Sequence, residues 1–295
     1  MGAIYIGIIL CCRVAQHLFN KRSSIMVQGI HETLRFSGVR MCISALLALG
    51  LIIIGGSHIK IDMVTVMLSV LSGITLSGST FFSLYAMKTG MVSLVSLFGT
   101  AGMIIPCLAG VFLFDTPIGP MQWVGFGLFL IASYLMIMGS KATVKGFSVK
   151  TLLMLIAVMI SEGITMLCQQ MFTQYVPDGN VSVFSFLSFG ILGIVILVAL
   201  TILKGKDKVE IRPLQKPLFI YGVILATAVL IINQLATLAT AIVPPVILFT
   251  FINGGSTVIA AIVAAVVYKE KLTVRSVLGI TLGILSFVII KAFAV

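Results

Sequence analysis

The sequence predicts an all-α integral membrane protein with ten transmembrane helices arranged as two inverted five-helix repeats. Three observations carry that expectation. The first is composition: 60% of the 295 residues are hydrophobic, 9% are charged, and the mean hydropathy is +1.23, where a soluble domain has about 25% charged residues. The second is a series of predominantly apolar stretches, each near the roughly 20 residues that cross a hydrocarbon core about 30 Å thick. The third is a likeness between the two halves of the chain.

The apolar stretches fall at 2–20, 36–55, 63–87, 91–114 and 121–138, then at 152–175, 183–203, 218–240, 246–268 and 274–292. They divide the chain into a first repeat at 1–145 and a second at 146–295. Lys21 and Arg22 follow the first stretch, whereas a secretory signal carries its charge in front, so this stretch is expected to remain a span. The second contains Arg40. The third and fourth hold "SGITLSGST" and "GTAGMIIPCLAG", where small residues and Pro106 suggest close crossings and kinks within the membrane. The fifth ends before Lys141. The sixth carries Glu162 near its centre, and the seventh has no charge until Lys204.

Asn233 and Gln234 lie in the eighth stretch. Pro244 and Pro245 fit the first turn of the ninth, which then reads "FINGGST". The tenth contains "GITLG" at 279–283, a GxxxG that allows tight helix packing within the bundle or between subunits. The longest polar connection, "KGKDKVEIRPLQK" at 204–216, is too short to hold a soluble catalytic domain, so any chemistry must take place between helices.

The net charge of +11 does not indicate a nucleic-acid partner, because most of the Lys and Arg sit in alternate loops. Lys21, Arg22, Arg35, Lys88, Lys141, Lys145, Lys150, the basic residues of 204–216, Lys269, Lys271 and Arg275 follow odd-numbered spans. Only Lys60 and Lys291 lie on the other face. The positive-inside rule then puts both termini outside, in a multi-pass protein of the plasma (inner) membrane. The five cysteines all fall inside spans without CxxC spacing, so core packing is expected for them, not disulfides or zinc. No HExxH, no paired catalytic carboxylates and no phosphate-binding glycine loop occur, which argues against an enzyme, an intrinsic ATPase or a cofactor.

Sliding the chain by 154 residues lays the third to fifth spans on the eighth to tenth without a gap. Leu84 then meets Leu238, Val92 meets Val246, Ile105 meets Ile259 and Gly125 meets Gly279. At an offset of 153, "AQHLFNK" from Ala15 falls on "CQQMFTQ" from Cys168, with Gln16 over Gln169 and Phe19 over Phe172. An odd number of spans per repeat forces the repeats to be inverted. That arrangement exposes one central site to either side and points to transport.

Four stretches resemble the drug/metabolite transporter (DMT) superfamily, specifically its ten-helix EamA-like members, over essentially the whole chain. "VRMCISALLALGL" resembles the Arg-led second helix of that family, with Arg40 at the Arg position. "SLYAMKTGMVSLVSL" and "TLATAIVPPVILFT" resemble its short turns between paired helices. "YKEKLTVRSVLGITLGILSFVII" is similar to its glutamate–leucine–glycine pattern, which maps to Glu270 and Gly279, with Asp115 in the weaker first-half version. The family's usual orientation puts both termini in the cytoplasm, whereas the loop charge of this chain puts them outside. The resemblance implies a secondary transporter of small metabolites.

Arg13 stands near the middle of the first span, where a charge costs about 2.5–3.5 kcal/mol on insertion scales and therefore needs protein, water or a counter-charge. The repeat puts Arg13 over Met166, one turn from Glu162. Both are expected to line a cavity between the halves and bind an anionic or zwitterionic substrate, with Glu162 also the candidate for proton coupling. A fixed structural ion pair, or snorkelling of Arg13, is the alternative. Gln16, Gln169 and Gln170 are expected to add donors and acceptors nearby. Asn233, Gln234, Asn253, Tyr85 and the more peripheral His17 complete the candidate set. Ser79 and Thr80 match Asn233 and Gln234 by the repeat.

The expected activity is transport of a small polar or amphiphilic metabolite, amino-acid-like or similar, as an exporter. The alternatives are a lipid-linked sugar flippase component and a nucleotide-sugar-type exchanger. The expected partners are the substrate, the lipid bilayer and protons, with no nucleic acid, and the chain is expected to be a monomer or weak homodimer.

Overall fold

The fold comes from a computed structural model, which describes residues 1–27, 29–55, 61–88, 92–115, 118–139, 149–207, 215–256, 258, 259, 262, 266 and 273–293. Among these residues all regular structure is helical. The helices are α1 (Gly2–Met26), α2 (Gly29–Gly55), α3 (Met63–Lys88), α4 (Val92–Ala101), α5 (Ile104–Leu113), α6 (Pro120–Gly139), α7 (Val149–Tyr175), α8 (Val181–Asp207), α9 (Lys216–Thr240), α10 (Pro245–Phe249), a π-helical turn (Thr250–Gly254) and α11 (Val274–Ala292).

Among the described residues five stretches are long and apolar enough to cross a membrane: His31–Gly55, Met63–Ser83, Val149–Tyr175, Val181–Ile202 and Lys216–Thr240. Five more helical stretches are apolar but shorter. The outer surface is apolar too, with Ile54 84%, Phe112 77% and Ile194 62% exposed. A surface of that kind suits lipid and not water.

Helix limits and apolar limits differ for a physical reason. α1 runs past residue 20 to Met26, and α2 starts seven residues before Phe36, because Lys, Arg and Glu favour helix once the chain leaves the hydrocarbon. Glu32 and Arg35 pair at 3.7 Å in the first turns of α2. Asp62 precedes α3 and its Oδ1 accepts the Thr65 N–H at 2.8 Å, an N-cap bond; the Thr65 side chain and backbone hold this carboxyl below its usual range.

The expected fourth span is broken at Gly102 into α4 and α5. The described part of the ninth is α10 followed by the π turn, and Pro245 starts it at the first helical position. Asp115 ends the α5 region with φ of 46°, a left-handed conformation that Asp tolerates. Glu270 lies outside the described residues.

Packing is between halves. α3 lies against α7, α1 against α9, α2 against α8, and α6 against α11; α3 also touches α8, and α2 touches α9. The largest core joins Ile9, Met103, Phe126, Phe129, Phe249 and Ile290. On α11 the two glycines of "GITLG" are buried along with Ser286 and Ile290, so this GxxxG is used inside the chain. Gly125 of α6 faces it, and a Cβ there would meet Ile290 at 2.8 Å.

The cysteines follow the expected core packing only in part. Cys107 and Cys168 are buried, Cys12 and Cys42 are partly buried, and Cys11 is exposed on the apolar outer face; all five are free.

Candidate functional site

A cavity of ≈220 Å³ lies about half-way along α1, α2, α3, α7 and α9. Among the described residues its charged lining is Arg13, Arg40 and Glu162. α1 presents Arg13 and Gln16 three residues apart, and Arg13 Nη1 donates to Gln16 Oε1 at 3.2 Å. This intrahelical bond orients the guanidinium. α7 presents Glu162, Thr165, Met166 and Gln169, which recur at helical spacing on one face.

α7 comes close to its neighbours because small residues face it. A Cβ on Gly163 would stand 2.5 Å from the Gly102 carbonyl oxygen, and one on Gly102 would stand 2.7 Å from the Met159 carbonyl oxygen. The α4–α5 break therefore sits directly against the turn that holds Glu162. Across α3, Thr75 and Thr165 share a hydrogen bond at 2.8 Å, and the Ser79 hydroxyl donates to the Glu162 carboxylate in a short contact. Thr75 and Thr80 also bond carbonyls one turn back, which satisfies their hydroxyls inside the helix.

On the far wall Gln169 Nε2 donates to Asn233 Oδ1 at 2.7 Å, and one turn further Thr173 and Thr240 bond at 2.8 Å. Asn253, within the π turn, reaches Met166 Sδ at 3.6 Å. A buried amide pair such as Gln169–Asn233 is worth about 1 kcal/mol net, and losing one partner costs more.

Of the candidates named from sequence, the cavity collects Arg13, Gln16, Glu162, Gln169, Asn233 and Asn253. Gln170 is buried beside Gln169 but outside the cavity, and its Oε1 has no partner among the described residues. Gln234 donates to Ser182 Oγ at 3.0 Å, toward the start of α8. The side chains of His17 and Tyr85 lie outside the described residues. Arg13 and Glu162 are within Coulombic reach, yet no ion pair within 4.0 Å joins them. Arg40, Thr165 and Met166 line the cavity although absent from the candidate set. For Arg40 the signal was present, since a cation inside an apolar span raises the same question as Arg13. Among the described residues no cluster of His, Cys, Asp or Glu could hold a metal ion.

No family model and no curated protein matches the chain. Twenty-nine chains of solved structures do match. One of them, described only as "Crystal structure of protein", has a TM-score of 0.75 at 13% identity, over 97% of this chain and 96% of that one. At that identity the likeness is one of fold.

Proposed function

We propose that the chain is a secondary transporter, an EamA-like member of the DMT superfamily, with ten spans in two inverted repeats. It exports a small polar or amphiphilic metabolite, amino-acid-like or similar, by alternating access, with both termini outside. The observation that carries this reading is a polar, charged cavity at mid-depth among apolar helices, lined from matching positions of both halves. Ser79 and Asn233 correspond by the 154-residue offset, and Gln16 with Gln169 and Arg13 with Met166 by 153; every one of them faces the cavity. Intramembrane charge is expensive, and placing it around a cavity is characteristic of a substrate pathway.

The contact pattern supports the inversion. Exchanging the halves turns α3–α7 into α1–α9 and α3–α8 into α2–α9, and leaves α2–α8 and α6–α11 unchanged; each of these contacts is present. By the 154-residue offset the α4–α5 break at Gly102 falls on Ser256, two residues past the π turn, so both paired elements are interrupted in the same part of their length, in keeping with sites built from discontinuous helices.

The test is saturable uptake of labelled metabolites by proteoliposomes, run beside movement of a labelled lipid headgroup between leaflets. Arg13→Ala and Glu162→Ala are expected to insert normally and lose uptake. Wild-type uptake by both variants, or headgroup movement in place of solute flux, would overturn the proposal.

A further inference from the structure

Asp62, Thr65, Ser69, Ser72, Thr75 and Ser79 recur along α3 at steps of three or four and so stand on one helix face. The five with hydroxyls are each 9% exposed or less, while Met67, Leu71 and Ile74 turn to the outer surface. Asp62 is exposed at the start of the row and accepts the Thr65 N–H. At the far end the Ser79 hydroxyl donates to the Glu162 carboxylate, and one turn before it Thr75 is bonded to Thr165 of α7. From Thr65 to Ser79 the row covers about 21 Å at 1.5 Å per residue.

Two observations set this row apart from ordinary helix packing. The hydroxyls of Ser69 and of Ser185 on α8 are buried with no hydrogen-bond partner among the described residues. Ser185 lies one turn from Ser188, which donates to the Ser69 carbonyl at 3.3 Å, so both open hydroxyls belong to the same stretch of the α3–α8 contact. A buried hydroxyl left open is costly unless water completes it. The second observation is the mate helix. At the 154-residue offset Thr65, Ser69, Ser72 and Thr75 fall on Phe219, Val223, Ala226 and Val229, so the corresponding positions of α9 are apolar and the fold does not need hydroxyls there.

We propose that the hydroxyl face of α3 is the route by which protons reach Glu162 from the Asp62 end of the helix, along a single file of water and hydroxyl groups. The proposal rests on the transporter reading above and supplies its coupling ion. Hydroxyls one turn apart stand about 5–6 Å from each other, the span of one water making two bonds of about 2.8 Å. Along the file every O–H bond that breaks is replaced by one that forms. Hydronium at Asp62 becomes water, each water and hydroxyl receives one proton and releases one, and the Glu162 carboxylate becomes the acid. Release follows when the cavity opens to the other side. Among the described residues Arg13 of α1 and Arg40 of α2 are the charged groups that share the cavity with Glu162. α3 turns Ser79 to it, α4 and the break after it Gly99 and Gly102, and α9 Asn233, while α5 sets Ile105 beside Gly163; none of these titrates.

Infrared spectroscopy of proteoliposomes after a jump in external pH follows Glu162 through a protonated-carboxyl band that Glu162→Gln removes. The band should titrate between about pH 4 and pH 9. Ser69→Ala combined with Ser72→Ala should slow its rise about tenfold or more without moving its midpoint, and Ser185→Ala should slow it as well. Ser69→Ala removes an open hydroxyl, so its melting temperature should equal or exceed that of wild type, which separates a slower rise from lost packing. Ser77→Ala, a buried serine off the row that is bonded to the Gly73 carbonyl, should keep the wild-type rate. A carboxyl band that never titrates in this range, a rise as fast in the double variant as in wild type, or equal slowing by Ser77→Ala overturns the inference. Proton arrival that depends on the row without saturable solute uptake leaves the route standing and removes the transport reading; saturable uptake with a rise that ignores the row does the opposite.

Discussion

Asn233 and Gln234 are neighbours with similar chemistry, and the helix gives them different roles. One residue is a turn of about 100° on a helix. Asn233 therefore faces the cavity and accepts from Gln169, while Gln234 swings round to Ser182 at the start of α8. Asn233→Ala should lower uptake about ten- to a hundredfold, since it strands the Gln169 amide at a cost of about 1–3 kcal/mol. Gln234→Ala should keep uptake within about twofold of wild type and lose about 1 kcal/mol of stability. Initial rates in proteoliposomes and melting curves in detergent check both; equal effects on uptake would sink the assignment. Gln169 and Gln170 part in the same way. The polar residue types were legible in sequence, and so was the face shared by Glu162 and Gln169, seven residues apart. What was not legible is which member of an adjacent polar pair turns inward, because that depends on the rotation of the whole helix, fixed by contacts such as Gly163 on Gly102. Arg40 was visible as a charge in an apolar span, but its direction depends on how α2 packs on α8 and α9.

At the scale of elements, hydropathy gave positions and missed interruptions. It reports where lipid can lie, so the helical residues beyond the apolar limits of α1 and α2 went unseen. It also ran the fourth stretch straight through the break at Gly102, because "GTAGMIIPCLAG" is apolar from end to end. Glycine and Pro106 hinted at a kink without locating it. The π turn is held from outside: a Cβ on Gly254 would meet Phe129 ring atoms at 2.5 and 2.8 Å and Phe287 at 2.7 Å. Those two rings stack at 5.8 Å and belong to α6 and α11. The turn that carries Asn253 is thus seated on the α6–α11 pair. Gly254→Ala should overpack this seat, cost about 1–3 kcal/mol and reduce uptake by displacing Asn253. Gly127→Ala, also on α6 but with open space around it, should leave melting temperature and uptake unchanged. A Gly254→Ala protein that melts and transports like wild type would show that the aromatic seat does not position the turn.

For the molecule as a whole, the two seams that exchange under the proposed inversion are chemically unlike. At α3–α7 the contact is polar, with Thr75 bonded to Thr165 and Ser79 to Glu162. At α1–α9 the same positions are Val229 and Cys12, and the seam is closed further along by Phe19 against Tyr221 at 5.6 Å. Alternating access by inverted repeats requires each seam in turn to adopt the geometry its mate has in the other state. Polar bonds at one seam and apolar contact at the other give two packings that differ in energy without either being forbidden, which is what a two-state element needs. The native Cys12 allows a direct test. Val229→Cys, in a protein whose other four cysteines are replaced by serine, puts thiols at the mates of Thr165 and Thr75. A short thiol-to-thiol cross-linker should join Cys12 to the introduced thiol and stop uptake, and reductive cleavage of the link should restore it. The yield should fall when Thr75→Cys and Thr165→Cys are cross-linked first in the same protein, because alternating access lets the α1–α9 seam open from the packed arrangement seen here once α3–α7 is held shut. A yield that ignores the first cross-link would mean that the seams move independently, and the exchange of halves would fail as the transport mechanism even with the cavity intact.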